Sequence, residues 1–304
     1  MSAHLMTRPD ESPSATPDWV DRAAYPFRSR YLELAPDRRM HYVDEGQGDT
    51  LLFVHGTPTW SFEWRHVIRD MSRTHRCVAP DHLGFGLSDR PRDFEYSPEA
   101  HASVLRTFVE RLGISAITLV VHDFGGPIGL PLALEQPSRV RRVVLLNTWM
   151  WSFTDDSAMT RNARIAGSGI GRLLYRYANS SLRVLLPSAY ADRRNLTARI
   201  HEQYLAPFRN RESRERVLWP LARALLGSSD YYDALWRERE RLQTLPALVI
   251  WGMKDPALRP SLLARWRSAL PEARVTELPV GHWPQEEAPG EVTRALRSFC
   301  ERSE

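Results

Sequence analysis

The stretch Ile117 to Leu130, ITLVVHDFGGPIGL, constrains the rest of the chain more than any other. Its first five residues are β-branched or aliphatic and have the length of a strand. Gly125 and Gly126 follow, then Pro127, a residue suited to the first turn of a helix. Asp123 stands at the apex of Val121-His-Asp-Phe-Gly125. This is the spacing of the strand–turn–helix nucleophile elbow, G-x-S-x-G, with aspartate in place of serine. A small residue at Gly125 leaves room for a turn that pushes the central side chain out above the sheet. From these residues alone, an aspartate capping a helix after a buried strand is the alternative.

The remaining strands are read from short apolar runs. Met40–Val43, Leu51–Val54, Arg76–Ala79, Arg142–Asn147, Ala247–Trp251 and Arg274–Leu278 carry the pattern, and helical spacing fills several gaps between them. Ser61 is expected to cap a helix reaching about Met71, Ser97-Pro98 to start one that Gly113 stops, and Pro131 to kink the helix after the elbow. Strands alternating with helices imply an α/β fold, a mostly parallel sheet covered on both faces. At 304 residues the chain can bury one large core with an inserted lobe. The expected division is a flexible N-terminal arm at 1–24, a core formed by 25–151 and 229–304, and a helical cap at 152–228.

Ligands in such sheets bind beyond the carboxyl ends of the strands. His55-Gly-Thr57, Asp81, Asp123, Asn147-Thr-Trp149 and Asp255 all follow predicted strands and should share one rim. His282 follows the last strand. The order nucleophile, acid, histidine is that of the α/β-hydrolase fold. A carboxylate is already ionised at neutral pH and attacks an sp³ carbon without a base, leaving an ester. His282 would then deprotonate the water that attacks this ester, Asp255 would orient the imidazole, and the backbone N–H groups of Thr57 and Phe124 would hold the oxyanion.

The segments HYVDEGQG, FVHGTPTWSFEWR, APDHLGFGLSD, ITLVVHDFGGPIGL, YLAPF, WGMKDPAL and GHWPQEEAP together resemble the haloalkane dehalogenases, from about Met40 to Pro289. The resemblance implies Asp123 as nucleophile, Asp255 as acid and His282 as base, acting on a small apolar substrate with water and releasing a halide. It also exposes departures. Those enzymes typically carry tryptophan after the nucleophile, where this chain has Phe124, and as second halide donor either asparagine where it has Thr57 or a lid tryptophan. Thr57, Trp149, Trp151 and Phe85 are the candidate leaving-group or pocket residues, with Leu185 and Leu186 as further wall candidates.

Two other enzymes run on the same engine. HGTP and GHW also resemble epoxide hydrolases, which use lid tyrosines as acids, and Tyr175, Tyr177, Tyr190 and Tyr204 are available. A strained lactone is the third substrate class. A ligand-binding receptor on the same fold would not need all three triad groups. The net charge of +4 comes from scattered arginine, with Lys254 the sole lysine, so nucleic acid is not expected as a partner. Two cysteines suggest neither a disulfide framework nor a metal cluster, and the triad implies no cofactor. No apolar run reaches membrane-spanning length, so no membrane partner is expected, and the N-terminus lacks an apolar signal region. The expected setting is the cytoplasm.

Overall fold

The computed structural model describes residues 16–301. Eight strands form one sheet in the order β1-β2-β4-β3-β5-β6-β7-β8. They are β1 Arg30–Ala35, β2 Arg38–Glu45, β3 Thr50–Val54, β4 Arg76–Pro80, β5 Ile117–Asp123, β6 Val140–Thr148, β7 Ala247–Gly252 and β8 Arg274–Leu278. β2 pairs antiparallel with β1 and with β4, and every pair from β4 onward is parallel. The central strands β3 and β5 are buried along their whole length, as expected where helices cover both faces.

β1 is the one strand not anticipated. Its run RYLELA places two buried residues, Tyr31 and Leu32, side by side instead of alternating, and it lies at the sheet edge. The helix expected from Ser61 also differs. A 3₁₀ turn, Ser61–Trp64, precedes α1 (Arg65–Met71), and the Ser61 side chain caps nothing. Its hydroxyl meets Tyr25 at 2.6 Å instead, and its N–H donates to Asp81 Oδ1 at 2.8 Å. α2 (Pro98–Arg111) starts as read, with Ser97 accepting from the Ala100 N–H at 3.2 Å. α3 (Gly125–Glu135) continues through Pro131 for four more residues.

Only helices lie between β6 and β7. They lie against the loops at the carboxyl ends of several strands. Trp60 Nε1 donates to Gln203 O at 3.0 Å, Phe208 meets Phe85 edge-on at 5.7 Å, and the His282 N–H donates to Ala189 O at 2.8 Å. Of the expected arm at 1–24, residues 1–15 lie outside the described residues. The rest packs down: Val20 is buried and Trp19 meets Trp60 edge-on at 5.6 Å. The apolar side chains at its end outweigh the polar composition before them. Among the described residues no helix is long and apolar enough to cross a membrane.

Candidate active site

β5 ends in a sharp turn that leaves Asp123 with φ +51. A non-glycine residue in this left-handed region costs on the order of 1–3 kcal/mol and persists only where its surroundings hold it. The glycines around it explain how. A Cβ at Gly56 would overlap the Asp123 carboxylate, and one at Gly125 would overlap the Val54 carbonyl. The elbow and the loop after β3 therefore approach each other at backbone distance, and Asp123 is left only 8% exposed. Thr148 Oγ1 donates to the Asp123 carbonyl at 2.5 Å and secures the turn from β6.

One carboxylate oxygen, Asp123 Oδ1, accepts the Thr57 N–H at 2.9 Å. The other, Oδ2, lies 3.4 Å from His282 Nε2. On the far side of the ring, His282 Nδ1 is 2.6 Å from Asp255 Oδ2. Asp255 is fixed in turn. Its Oδ1 accepts the N–H groups of Ala257 and Leu258 at 2.8 and 2.9 Å, and its Oδ2 accepts Asn147 Nδ2 at 2.8 Å. Asn147 also takes the Gly252 N–H on Oδ1 at 2.7 Å, so it ties the ends of β6 and β7 together beneath the acid. The three residues brought together from separate strand ends are thus in the expected mutual contact.

Burial works against charge on both Asp255 and His282, and their partners prevail. For Asp255, desolvation pushes the pKa up, but the His282 ring, the Ala257 N–H and the Asn147 amide hold it below the ordinary range. For His282, desolvation pushes downward, yet Asp255 and Asp123 together raise it to about 10. The imidazole is therefore cationic at neutral pH, and the Asp255 carboxylate beside it is charged. Neutralising Asp123 removes part of what holds the proton. An ester on Asp123 would thus lower the His282 pKa and free Nε2 to accept a proton.

The loop after β3 is kept rigid by a neutral histidine pair. His55 Nδ1–H donates to Gly56 O at 2.7 Å and its Nε2 accepts the His82 N–H at 3.0 Å. Burial depresses the pKa of both rings, matching these neutral roles. Asp81 directly follows β4, as expected, and is fully buried. It accepts from His41 Nδ1, Ser61 N–H and Leu87 N–H at 2.8, 2.8 and 2.9 Å.

The leaving-group candidates separate. Trp149 meets Phe124 edge-on at 4.8 Å, and its buried Nε1 has no hydrogen-bond partner, nor has the buried Oγ1 of Thr57. Trp151, two residues on, packs into Trp236 and Trp266 at 5.0 and 5.2 Å beneath the Arg265 guanidinium. These contacts are those of a packing residue, although its buried Nε1 also lacks a hydrogen-bond partner. Phe85 packs on His55 and Phe208. The Phe124 N–H sits at the start of α3, where N–H groups lack an intrahelical partner.

The four tyrosines separate as well. Tyr177 is 56% exposed, Tyr204 donates to Glu286, and Tyr190 stacks on Trp283 at 5.2 Å. Tyr175 is buried near Ser181 and feels the Asp123 charge, and desolvation pushes its pKa to about 12. Leu186 is buried, while Leu185, expected to line a wall, is 50% exposed.

Two buried polar clusters were not anticipated. His122 Nδ1 lies 3.3 Å from Glu63 Oε1 while its Nε2 donates to His282 O at 2.8 Å, which steadies the histidine's backbone. Arg65 Nη2 donates to Glu286 Oε2 at 2.7 Å, and Tyr204 joins the same carboxylate. Glu63 and Arg65 stand inside the apolar run Trp60-Ser-Phe-Glu-Trp-Arg65, a placement in the sequence that points to buried partners.

A sheet of this order with Asp, Asp and His at three strand ends defines an aspartate-armed α/β hydrolase. A family model described as alpha/beta hydrolase fold matches residues 49–289. Haloalkane dehalogenase 2 of Mycobacterium tuberculosis is 38% identical over 279 residues, 91% of this chain and 96% of that protein. Cis-3-alkyl-4-alkyloxetan-2-one decarboxylase of Shewanella oneidensis is 31% identical over 290 residues, covering 92% and 90%. Among solved structures, haloalkane dehalogenase DbeA from Bradyrhizobium elkani superposes with a TM-score of 0.79 at 27% identity, covering 89% of this chain and 96% of that one. DatA from Agrobacterium tumefaciens does so at 0.78 and 27%, covering 89% and 95%. The chain belongs to the α/β-hydrolase family and, within it, to the haloalkane dehalogenase-like hydrolases.

Proposed function

We propose that this hydrolase cleaves a small apolar haloalkane through an ester on Asp123. The observation that carries the reading is the Asp123–His282–Asp255 contact, with Thr57 N–H on the opposite carboxylate oxygen. An Asp123 oxygen attacks the sp³ carbon, the carbon–halogen bond breaks, and halide leaves with the electron pair. Esterification removes the carboxylate charge, His282 gives up its proton to solvent, and its Nε2 then takes a proton from water as the water oxygen attacks the ester carbonyl. The Thr57 and Phe124 N–H groups face the tetrahedral oxyanion. Collapse releases the alcohol and restores Asp123, so the balance is haloalkane plus water to alcohol, halide and a proton. Thr57 Oγ1 and Trp149 Nε1, buried donors without a protein partner, are the groups we assign to the departing halide. The helical stretch 152–228 serves as the cap that excludes water from this chemistry.

A second reading rests on Phe124, which offers no side-chain N–H, and on relatives named as oxetanone decarboxylases at 31% and 30% identity. Here the same carboxylate attacks an sp³ ring carbon of a strained lactone, and the leaving group is a carboxylate oxygen. Intact-mass measurement on the His282→Gln variant separates the readings, because removing the base stops the reaction at the ester. With 1-bromobutane or 1,2-dibromoethane we expect a stable mass gain from the alkyl group, and halide release by the wild type but not by Asp123→Asn. An adduct formed only with a cis-dialkyl oxetanone would replace the first reading by the second. No adduct with either class would remove both.

A further inference from the structure

The large hydrophobic side chains left exposed among the described residues all fall between Ile165 and Leu185, on the helices that follow β6. Ile170, Leu173, Leu174 and Tyr177 recur at three- and four-residue spacing and share one helical face, exposed by 70%, 56%, 45% and 56%. The chain then reverses at Asn179, which has φ +51, and presents Val184 and Leu185, 57% and 50% exposed. The opposite face of the same turns carries the buried Tyr175, Leu182 and Leu186. The face is thus a built one, inward side fixed and outward side apolar.

The stretch of chain that forms it is basic. From Ser157 to Ala191 there is no aspartate or glutamate, while arginine occurs at 161, 164, 172, 176 and 183. Arg172 and Arg176 are both engaged by Glu215. Arg161, Arg164 and Arg183 are exposed and take part in no ion pair among the described residues. Exposed aliphatic side chains and unpaired arginines from one stretch of chain, with the neighbouring Glu215 already committed to Arg172 and Arg176, match the interfacial region of an anionic bilayer. There the apolar groups enter the acyl boundary and the guanidinium groups meet lipid phosphates. A second copy of this chain is the poorer occupant, because a two-fold contact would set the same arginines against each other.

We infer that this outward face of the cap is a docking surface for anionic phospholipid membranes. The chain lies on the membrane and does not span it, so a search for an apolar run of spanning length does not detect the surface. Docking sets the cap helix between the acyl boundary on one side and, through Tyr175, the catalytic carboxylate on the other. Apolar molecules dissolved in the bilayer then reach the enzyme at their locally enriched concentration.

The test is flotation of the full chain with vesicles of phosphatidylcholine alone and with vesicles containing about one part in three of phosphatidylglycerol. Binding is expected to the second and not the first, and to be lost near ~0.5 M salt as screening shortens the reach of the charges. Each basic side chain near such a surface contributes about fivefold, so Arg161→Gln/Arg164→Gln/Arg183→Gln should weaken binding about 100-fold. Leu173→Ser/Val184→Ser should weaken it at least ~10-fold with an unchanged thermal midpoint. Absence of binding to either vesicle overturns the inference, as does equal binding to both with the arginine variant unaffected. So does a dimer of the wild type in solution that Leu173→Ser/Val184→Ser dissolves, which would assign the face to a second copy.

Discussion

The floor of the site and the helices that cover it are built on opposite principles. At the floor, each group is held from several directions. Asp255 has three donors besides His282, Asn147 bridges two strands, and the glycines at 56 and 125 let backbones meet around Asp123. Over it, the helices between β6 and β7 are short, several turns are π-helical, and apolar side chains point both ways. The difference teaches where chemistry and where selection reside. A floor this constrained fixes one geometry, and in the function proposed above the loosely specified cover would decide what reaches it.

Changes at the floor should therefore be large and mostly kinetic. Asp123→Asn is isosteric but cannot form the ester, and loss of a group of this kind typically costs roughly 10⁴-fold or more in rate. Turnover near that of the wild type would mean that no ester forms on Asp123. Glu286→Ala removes one side of a buried ion pair that joins α1 to the cover through Tyr204, and leaves Arg65 uncompensated. Loss of about 3–5 kcal/mol of stability is expected in a denaturant melt. Gly56→Ala forces a methyl group into the carboxylate. A displacement near 1 Å should lower kcat/KM about 10²-fold, with KM changing less than kcat.

The constrained floor also makes stability depend on pH. His282 is held at about 10 in the folded chain against an ordinary 6.5, so between these values the folded chain keeps a proton that the unfolded chain has lost. Its contribution is fully present below 6.5 and vanishes as pH rises through about 10. The thermal midpoint of the wild type should fall across this window more steeply than that of His282→Gln. Parallel profiles would contradict the cationic ring. At the cover, Leu185→Ser alters an exposed position and should change stability by less than about 0.5 kcal/mol.

The same contrast explains what could be read in the sequence. Buried parallel strands are continuous apolar runs, and the residues that follow them are fixed to one rim by topology, so Asp123, Asp255 and His282 were visible from local patterns. β1 was not, because an edge strand with adjacent buried residues loses the two-residue alternation. The pairs Glu63–His122 and Arg65–Glu286 join residues far apart in the chain, and nothing in either segment names the partner. Trp149 and Trp151 differ only in the side of the chain on which they fall, and that is set by Trp236 and Trp266 from distant helices. On the cover, Leu185 and Leu186 are neighbours with opposite fates, since apolar residues on both faces of a short helix leave its orientation undetermined.

In the proposed reaction oxygen reaches the product by way of Asp123. A single turnover in ¹⁸O-water, with enzyme in excess over 1,2-dibromoethane, tests it directly. Hydrolysis of the ester at its carbonyl carbon places the heavy oxygen in the Asp123 carboxylate, so the peptide containing Asp123 should gain about 2 Da while the first alcohol formed stays unlabelled. Heavy oxygen in that first alcohol, with an unlabelled Asp123 peptide, would mean that water attacks the substrate directly and would contradict the account.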